Sequence, residues 1–499
     1  MRHLSIFLVS MYLLLKCSPV QDHLQTASSE NKIDWIHHVD SLIMPFWMSE
    51  EALGNPPGNF PAYRYPDGSA VDPSNPDYAR LVPEYQQFYM GSADSLRRDF
   101  IRVKSRQIYG YCIAFHLTGN ERYLENAKRG LDYLIENDVY ADSSVVSFWG
   151  REGLPQPGKY QRNAQDLAYG LLAPSIYYYL TRDPDILKIL LTTNRFVWDA
   201  YYEQADLKAS TKLFAWVREN FESDSTQQKE LIAPLDQLNA YTLLLAQFVP
   251  DSLSSELTAR VRILAHSIKD NFYSEKYNLF WSSLNTKRIG GNTDFAHSIK
   301  SFWMLYVSAR LIGDTDLETF ASTGAQRLLN TAYQKGEGRW VSNYRDESME
   351  LDKSIFAWHC AELDQMAATL SFRDTSIYTT YLKQTYSYFE EKMIDHTNKG
   401  TYWGRSAEGD IIEVGFRSGW HMANFHDMEH ALIGYLSTAH YFGDDIKLYF
   451  AFGKRIDPET SVIKPYYYAA EIRELKQMEF DTPVFSDLVK TQVIFDNIH

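Results

Sequence analysis

The sequence predicts an all-α protein, an (α/α)6 barrel in which six helical hairpins close into a toroid. The first observation is a recurring turn. "LTGNERYL" carries Asn120, "LTRDPDIL" Asp183, "VPDSLSSEL" Asp251, "LIGDTDLETF" Asp314, "SFRDTSIY" Asp374 and "YFGDDIKLY" Asp444. Successive turn residues lie 63, 68, 63, 60 and 70 positions apart, the long period of a repeat architecture. The second observation is that each turn follows an apolar helical stretch, and the first five precede an amphipathic one. The third is that no Pro/Ser linker or charge run divides the chain. One repeat domain therefore replaces the roughly three that ~150 residues per domain would allow.

In chain order, "DWIHHVDSLIMPFW" supplies an outer helix. Apolar inner stretches follow near 98–118, 162–181, 231–248, 294–311, 354–371 and 424–441. Amphipathic outer stretches fall near 121–137, 184–203, 252–273, 315–334 and 375–394. The Asp or Asn of each turn suits the N-cap of the helix after it, because its side chain accepts from otherwise unpaired N–H groups. Six inner and six outer helices give a barrel over residues 32–445, with 446–499 as a C-terminal extension packed on it. Residues 1–25 read as an export signal: Arg2, an apolar run from Leu4 to Leu15 too short to span a bilayer, then Cys17-Ser18-Pro19. Cys17 is a candidate lipid-attachment residue, with ordinary cleavage nearby as the alternative. The chain is expected to be exported: periplasmic, lipid-anchored or secreted, with no transmembrane helix.

Apolar residues make up 45% of the 499 and charged ones 23%, enough to bury a large core. A net charge of −15 excludes nucleic acid and anionic membrane surfaces as partners. Cys112 and Cys360 sit in apolar helical stretches as buried thiols, so no disulfide framework is expected. The 35 Tyr and 11 Trp are mostly packing, but such rings also suit a pocket that stacks on sugars.

The repeat gives a register. Arg106, Asp166, Asp236, His297, His359 and His426 open the six inner helices, between 14 and 18 residues before their turns. At ~1.5 Å per residue that is roughly 21–27 Å, so all six lie at one end of the barrel. Helix N-termini there present free N–H groups and positive dipole ends, which favour an anionic intermediate. The entering loops "GNFPAYRYPDG", "SFWGREG", "GRWVSNYR", "GTYWGRSAEGD" and "FRSGWHMANFH" are rich in Trp, Gly and Arg, the lining expected of a carbohydrate pocket. His426-Asp-Met-Glu429-His430 formally matches an inverted zinc-peptidase helix. That site would need a third ligand which nothing downstream specifies, so no metal and no cofactor is expected.

The chain resembles the N-acylglucosamine 2-epimerase superfamily, which includes cellobiose 2-epimerases and mannose isomerases. The resemblance rests on "PFWMSEEALGNPPGNFPAYRYPDG", "KSRQIYGYCIAFHLTGNERYLENAKRGLDYLI", "QDLAYGLLAPSIYYYLTRD", "AHSIKSFWML" and "FHDMEHAL", and spans roughly 32–445. It implies a sugar 2-epimerase or aldose–ketose isomerase acting on a reducing sugar or oligosaccharide through an enediolate. His297 and His426 would carry protons, and Arg106 would hold the carbonyl oxygen, as a near-neutral base and a permanent cation should. Asp166, Asp236, Lys300, His359, Glu362, Trp420 and Tyr109 are expected to contact substrate. His430, one turn beyond His426, is expected to support it from the same helix face. Two positions depart from the family pattern: Lys300 where a Glu often follows the histidine, and Asp236 where several epimerases have a histidine. A cation at i+3 should favour a neutral His297. Other readings are a secreted glycoside hydrolase or lyase using Asp166, Asp236 or Glu362, or a non-catalytic sugar-binding barrel. Monomer and dimer both stay open.

Overall fold

The structure is a computed structural model and describes residues 32–72, 74–91, 96–137, 139–140, 144–150, 163–202, 229–420, 422–453 and 462–499. The export signal, Cys17 and the Arg151–Gly153 part of one entering loop lie outside the described residues. Among the described residues no helix is long and apolar enough to cross a membrane.

Helical runs alternate between two concentric layers. The outer layer holds α1 (35–47), α3 (Glu121–Glu136), α5 (184–202), α7 (Asp251–Phe272), α9 (Thr315–Ala332) and α11 (378–393). The inner layer holds α2 (Ile101–Thr118), α4 (Ala164–Thr181), α6 (232–248), α8 (Phe295–Ile312), α10 (Ala357–Ser371) and α12 (Phe425–Phe442). This is the (α/α)6 barrel, with every inner and outer stretch read from the sequence in its expected place.

Burial explains the two layers. In α2 every residue from Ile101 to Leu117 is buried, as expected of a helix enclosed on all sides. In α3 only a stripe is buried, including Tyr123, Leu124, Ala127, Leu131 and Leu134, at the i, i+3, i+4 spacing that faces one neighbour. Asn120, Asp183 and Asp314 cap α3, α5 and α9 by accepting from backbone N–H groups of the first turn. Asp374 accepts from the Ser376 N–H at 3.0 Å in the turn before α11. Asp251 departs from the expectation. Pro250 takes the cap position and Asp251 is the first helical residue, where its charge meets the helix dipole instead.

The ring closes where α12 packs against α2. A Cβ on Gly110 would fall 2.0 Å from the Asn424 side-chain nitrogen, so the seam needs a residue without one. Short hairpins (273–274 with 279–280, 333–334 with 339–340) and a three-stranded patch (355–356, 404–405, 411–412) join outer helices to inner ones. They surround the end at which the inner helices begin.

The opposite end is covered by the C-terminal chain. Strands β1 (Ile446–Gly453), β2 (Glu471–Met478) and β3 (Leu488–Asp496) form an antiparallel sheet in the order β1-β3-β2. β1 lies on α2, α4 and α12, and the Tyr449 carbonyl meets His116 Nδ1 at 2.8 Å. Between β1 and β2 the chain turns into the barrel. Tyr466, Tyr467 and Tyr468 are buried. Tyr467 donates to the Asn239 carbonyl of α6 at 3.0 Å, and Tyr468 shares a 2.8 Å hydrogen bond with Thr369 of α10. The barrel is therefore plugged at this end, and among the described residues nothing comparable fills the other.

Gly110→Ala is expected to cost about 1–3 kcal/mol of unfolding free energy through overpacking of the α2–α12 seam. It should appear as a lower urea midpoint with an unchanged slope.

Candidate active site

The open end is set by how each inner helix begins. Asp294 caps α8: its Oδ1 accepts from the His297 N–H at 2.7 Å, and its Oδ2 lies 2.8 Å from His297 Nδ1. One carboxylate thus starts the helix and fixes the imidazole. Burial works against a charged His297, but Asp294 outweighs it and raises the ring above the usual histidine value. The expectation that Lys300 would keep His297 neutral is corrected here. Lys300 does oppose a charge on His297, but the carboxylate three residues before the histidine outweighs it.

Lys300 Nζ lies 3.4 Å from Asp236 Oδ1 on α6 and 3.6 Å from Glu362 Oε1 on α10. Burial acts to lower its pKa, yet Tyr169, Glu362, Asp236 and Glu429 together raise it, so it stays charged. Gln165 of α4 donates to Asp236 Oδ2 at 2.8 Å, so four inner helices meet in the same cluster. Glu362 Oε1 also meets His426 Nδ1 at 3.2 Å. Burial pushes His426 down to about 4, against the opposing pull of Glu362. His426 is thus neutral near pH 7 while His297 is biased toward the charged form. Two groups of one chemical type are held apart by their neighbours, the pattern of an acid and a base.

Both rings pack against Trp358, with centroids 4.9 Å from His297 and 5.7 Å from His426. Each side chain retains 15% exposure, whereas Lys300, Asp236 and Glu362 keep 4% or less. The histidines face the opening and the charged cluster lies behind them. Beside His426 a cleft is lined by Trp358, Tyr402, Trp403, Met422 and Ala423.

Arg106, in the second turn of α2, places its guanidinium 4.0 Å from the centre of the Tyr169 ring. Among the described residues no carboxylate lies within ion-pair distance of it, in contrast to Arg102, which pairs with Asp166 at 2.8 Å. Trp420 stacks over Arg102 at 4.8 Å. Asp166 is further held by Asn163, which donates to Oδ2 and accepts from the Asp166 N–H, both at 2.7 Å. The six residues in register do converge, but the free helix N-termini expected there differ in two helices: Asn163 and Asp294 occupy those N–H groups.

The other expected residues lie deeper. His359 is buried against Phe356 and Trp358 and burial lowers it to about 4. Tyr109 is buried and lies 3.1 Å from the Tyr466 hydroxyl. The His-x-x-Glu-His run does not gather into one site. His426 faces Glu362, Glu429 accepts from Tyr466 and Gln365, and His430 Nε2 meets Asp364 at 3.0 Å among Trp35, Tyr386 and Phe389. His430 therefore packs against the outer helices rather than supporting His426. The carboxylates a hydrolase would recruit are each engaged: Asp166 by Arg102, Asp236 by Lys300 and Gln165, Glu362 by Lys300 and His426.

Sequence reasoning missed Asp294, Trp358, Arg102 and Tyr466, and named Glu429 only in the zinc-peptidase reading. Asp294 carried a signal, an acidic cap three residues before a histidine in "TDFAHS". Tyr466 carried none, because only the folded chain brings it to the barrel axis.

No family model matches the chain. It is 23% identical over 276 residues to a cellobiose 2-epimerase of Ruminococcus albus, which covers 52% of this chain and 67% of that one. Among solved structures, the cellobiose 2-epimerase of Bacillus thermoamylovorans B4167 superposes with a TM-score of 0.63 at 14% identity, over 81% of this chain and 97% of that one. A D-mannose isomerase gives 0.63 at 15% identity, over 83% and 99%. These matches bear out the resemblance to the N-acylglucosamine 2-epimerase superfamily. The superpositions carry the fold; the site is argued from its own geometry.

Asp294→Asn should keep the cap, since Asn serves there as well as Asp, but remove the charge that raises His297. If His297 must be protonated to act, activity is lost as pH rises through its pKa. The alkaline limb of the pH–rate profile is then expected to move to lower pH.

Proposed function

We propose that this protein is a carbohydrate isomerase or epimerase that moves a proton at the carbon beside the carbonyl of a reducing sugar. The observation that carries the reading is the pairing of a neutral histidine, His426, with an Asp294-backed histidine, His297, both against Trp358 near Arg106. Substrate class follows from the superfamily resemblance and from the Trp and Tyr side chains that line the cleft.

In this reading Trp358 stacks on the sugar ring and Arg106 holds the carbonyl oxygen. His426 has Nδ1 against Glu362, which leaves Nε2 as the basic nitrogen toward the pocket. It takes the proton from C2, and the electron pair moves onto the carbonyl oxygen to give an enediolate. Arg106, without a carboxylate of its own among the described residues, offsets that developing charge. His297, with Nδ1 held by Asp294, donates from Nε2. Return of a proton to the opposite face of C2 gives the epimer; return to C1 gives the ketose. The raised and lowered rings supply the acid and the base that each direction needs.

The test is NMR of the purified protein with mannose, glucose, N-acetylmannosamine, cellobiose and uronic acids in deuterated water. Deuterium at C2, or a new aldose or ketose, is expected with at least one sugar. His297→Ala and His426→Ala should each lower turnover by about 100-fold or more, the contribution of a general acid or base, while the protein stays folded. Full activity in both variants would sink the mechanism.

We also propose that the chain works outside the cytoplasm, on the Arg2, Leu4–Leu15 and Cys17-Ser18-Pro19 pattern of its first residues. Sequencing the N-terminus of the mature protein should find a new start near this segment. An intact Met1 in the native host would refute it.

A further inference from the structure

Tyr169 lies on α4, three residues after Asp166 and four after Gln165, and is buried. At that spacing the three side chains share one face of the helix, and each meets a charged group of the site from it. Gln165 donates to Asp236 and Asp166 pairs with Arg102, both at 2.8 Å. Tyr169 carries the Arg106 guanidinium 4.0 Å from the centre of its ring, with that of Arg102 at 5.3 Å. Its ring also meets Phe425 edge-on at 6.1 Å, and Lys300 Nζ lies 5.8 Å from the same Phe425 ring. Two guanidinium groups thus lie against one phenol. Among the described residues no hydrogen bond holds its hydroxyl, whereas the hydroxyls of Tyr109, Tyr179, Tyr241 and Tyr466 are each engaged.

The chemistry proposed above leaves one proton unassigned. Converting an aldose to a ketose moves a proton from C2 to C1 and also one from O2 to O1. His426 and His297 serve the carbons. Arg106 holds the carbonyl oxygen O1, but a guanidinium stays protonated and has no proton to hand over. Asp166 is taken by Arg102 and Asn163. A phenol can both give and accept a proton, and a negative charge formed on Tyr169 lies against the Arg106 guanidinium.

We infer that the reaction is an aldose–ketose isomerisation in which Tyr169 is the catalytic residue at the oxygens, relaying a proton from O2 to O1 beside Arg106. As His426 takes the C2 proton, the electron pair moves onto O1 and the Tyr169 hydroxyl gives its proton to O1. The phenolate left behind then takes the proton of O2. The O2 electron pair forms the new carbonyl at C2 while C1 accepts a proton from His297. Tyr169 is restored, and exchange with water resets the two histidines. Epimerisation needs no such relay, because O2 keeps its proton throughout. The inference rests on the enediolate reading of the site.

The test incubates the full chain with mannose, glucose and cellobiose in deuterated water and follows two signals by NMR: deuterium at C2 of the aldose, and the ketose formed. The wild type is expected to give both with at least one of the three sugars. Tyr169→Phe should slow ketose formation by about 100-fold, the contribution of one general acid–base group, and C2 exchange by less than about tenfold. The ratio of ketose to exchange therefore falls by about tenfold or more. A purely structural role would lower both signals together.

An unchanged ratio in Tyr169→Phe overturns the inference, whether or not the rates fall. A wild type that exchanges C2 without forming ketose overturns it too, and leaves the broader isomerase-or-epimerase reading standing. A wild type that neither exchanges C2 nor forms ketose with any sugar overturns that reading and the inference with it. Should Tyr169→Phe fail to fold, Tyr169→3-fluorotyrosine decides: its more acidic phenol should change the ratio by about threefold or more, and an unchanged ratio overturns the inference.

Discussion

An ammonium group with 4% exposure survives inside a protein only if carboxylates hold it, and Lys300 is held by Asp236 and Glu362 from two other inner helices. Removing such charges from water costs several kcal/mol per ion, and the cost is recovered only when partners converge with good geometry. That requirement fixes the relative placement of α6, α8 and α10, to which Gln165 adds α4. It also decides the chemistry in front of the cluster. Glu362 keeps its charge because Lys300 is there, and His426 meets that charge.

The two histidines share a residue type and a helix-start position, yet they titrate in opposite directions. Burial lowers both. His297 escapes because Asp294 sits 2.8 Å from its ring and on its own helix cap. His426 does not, because the carboxylate it meets is shared with Lys300, and Lys300 and Arg106 themselves oppose protonation. Two opposite shifts are thus produced in one type of side chain by neighbours alone, without a difference in exposure.

A barrel of helices has two ends, and a pocket needs one of them closed. Among the described residues, the hairpins and aromatic loops surround the N-terminal ends of the inner helices without filling them. The C-terminal sheet covers the other end, and its three consecutive tyrosines hydrogen-bond to α2, α6, α10 and α12. Tyrosine suits this place because it fills apolar volume and still offers one polar atom to satisfy what the axis leaves unpaired.

The sequence by itself determined the fold, the helix boundaries and the common level of Arg106, Asp166, Asp236, His297, His359 and His426. These are consequences of local periodicity and of a turn repeated at near-constant spacing, both readable along one dimension. It missed Asp251, where proline displaced the cap, and it assigned His297 to Lys300 and His430 to His426 by helical proximity. Only the tertiary structure decided those partners: Lys300 turned to Asp236 and Glu362, Asp294 took His297, and His430 turned outward to Asp364. The reason is physical. Helical spacing says which residues share a turn, but a buried charge is settled by whichever opposite charge other helices bring within about 4 Å. That, together with a tyrosine arriving from more than 20 residues beyond α12 to meet Glu429, is information that exists only once the chain is closed.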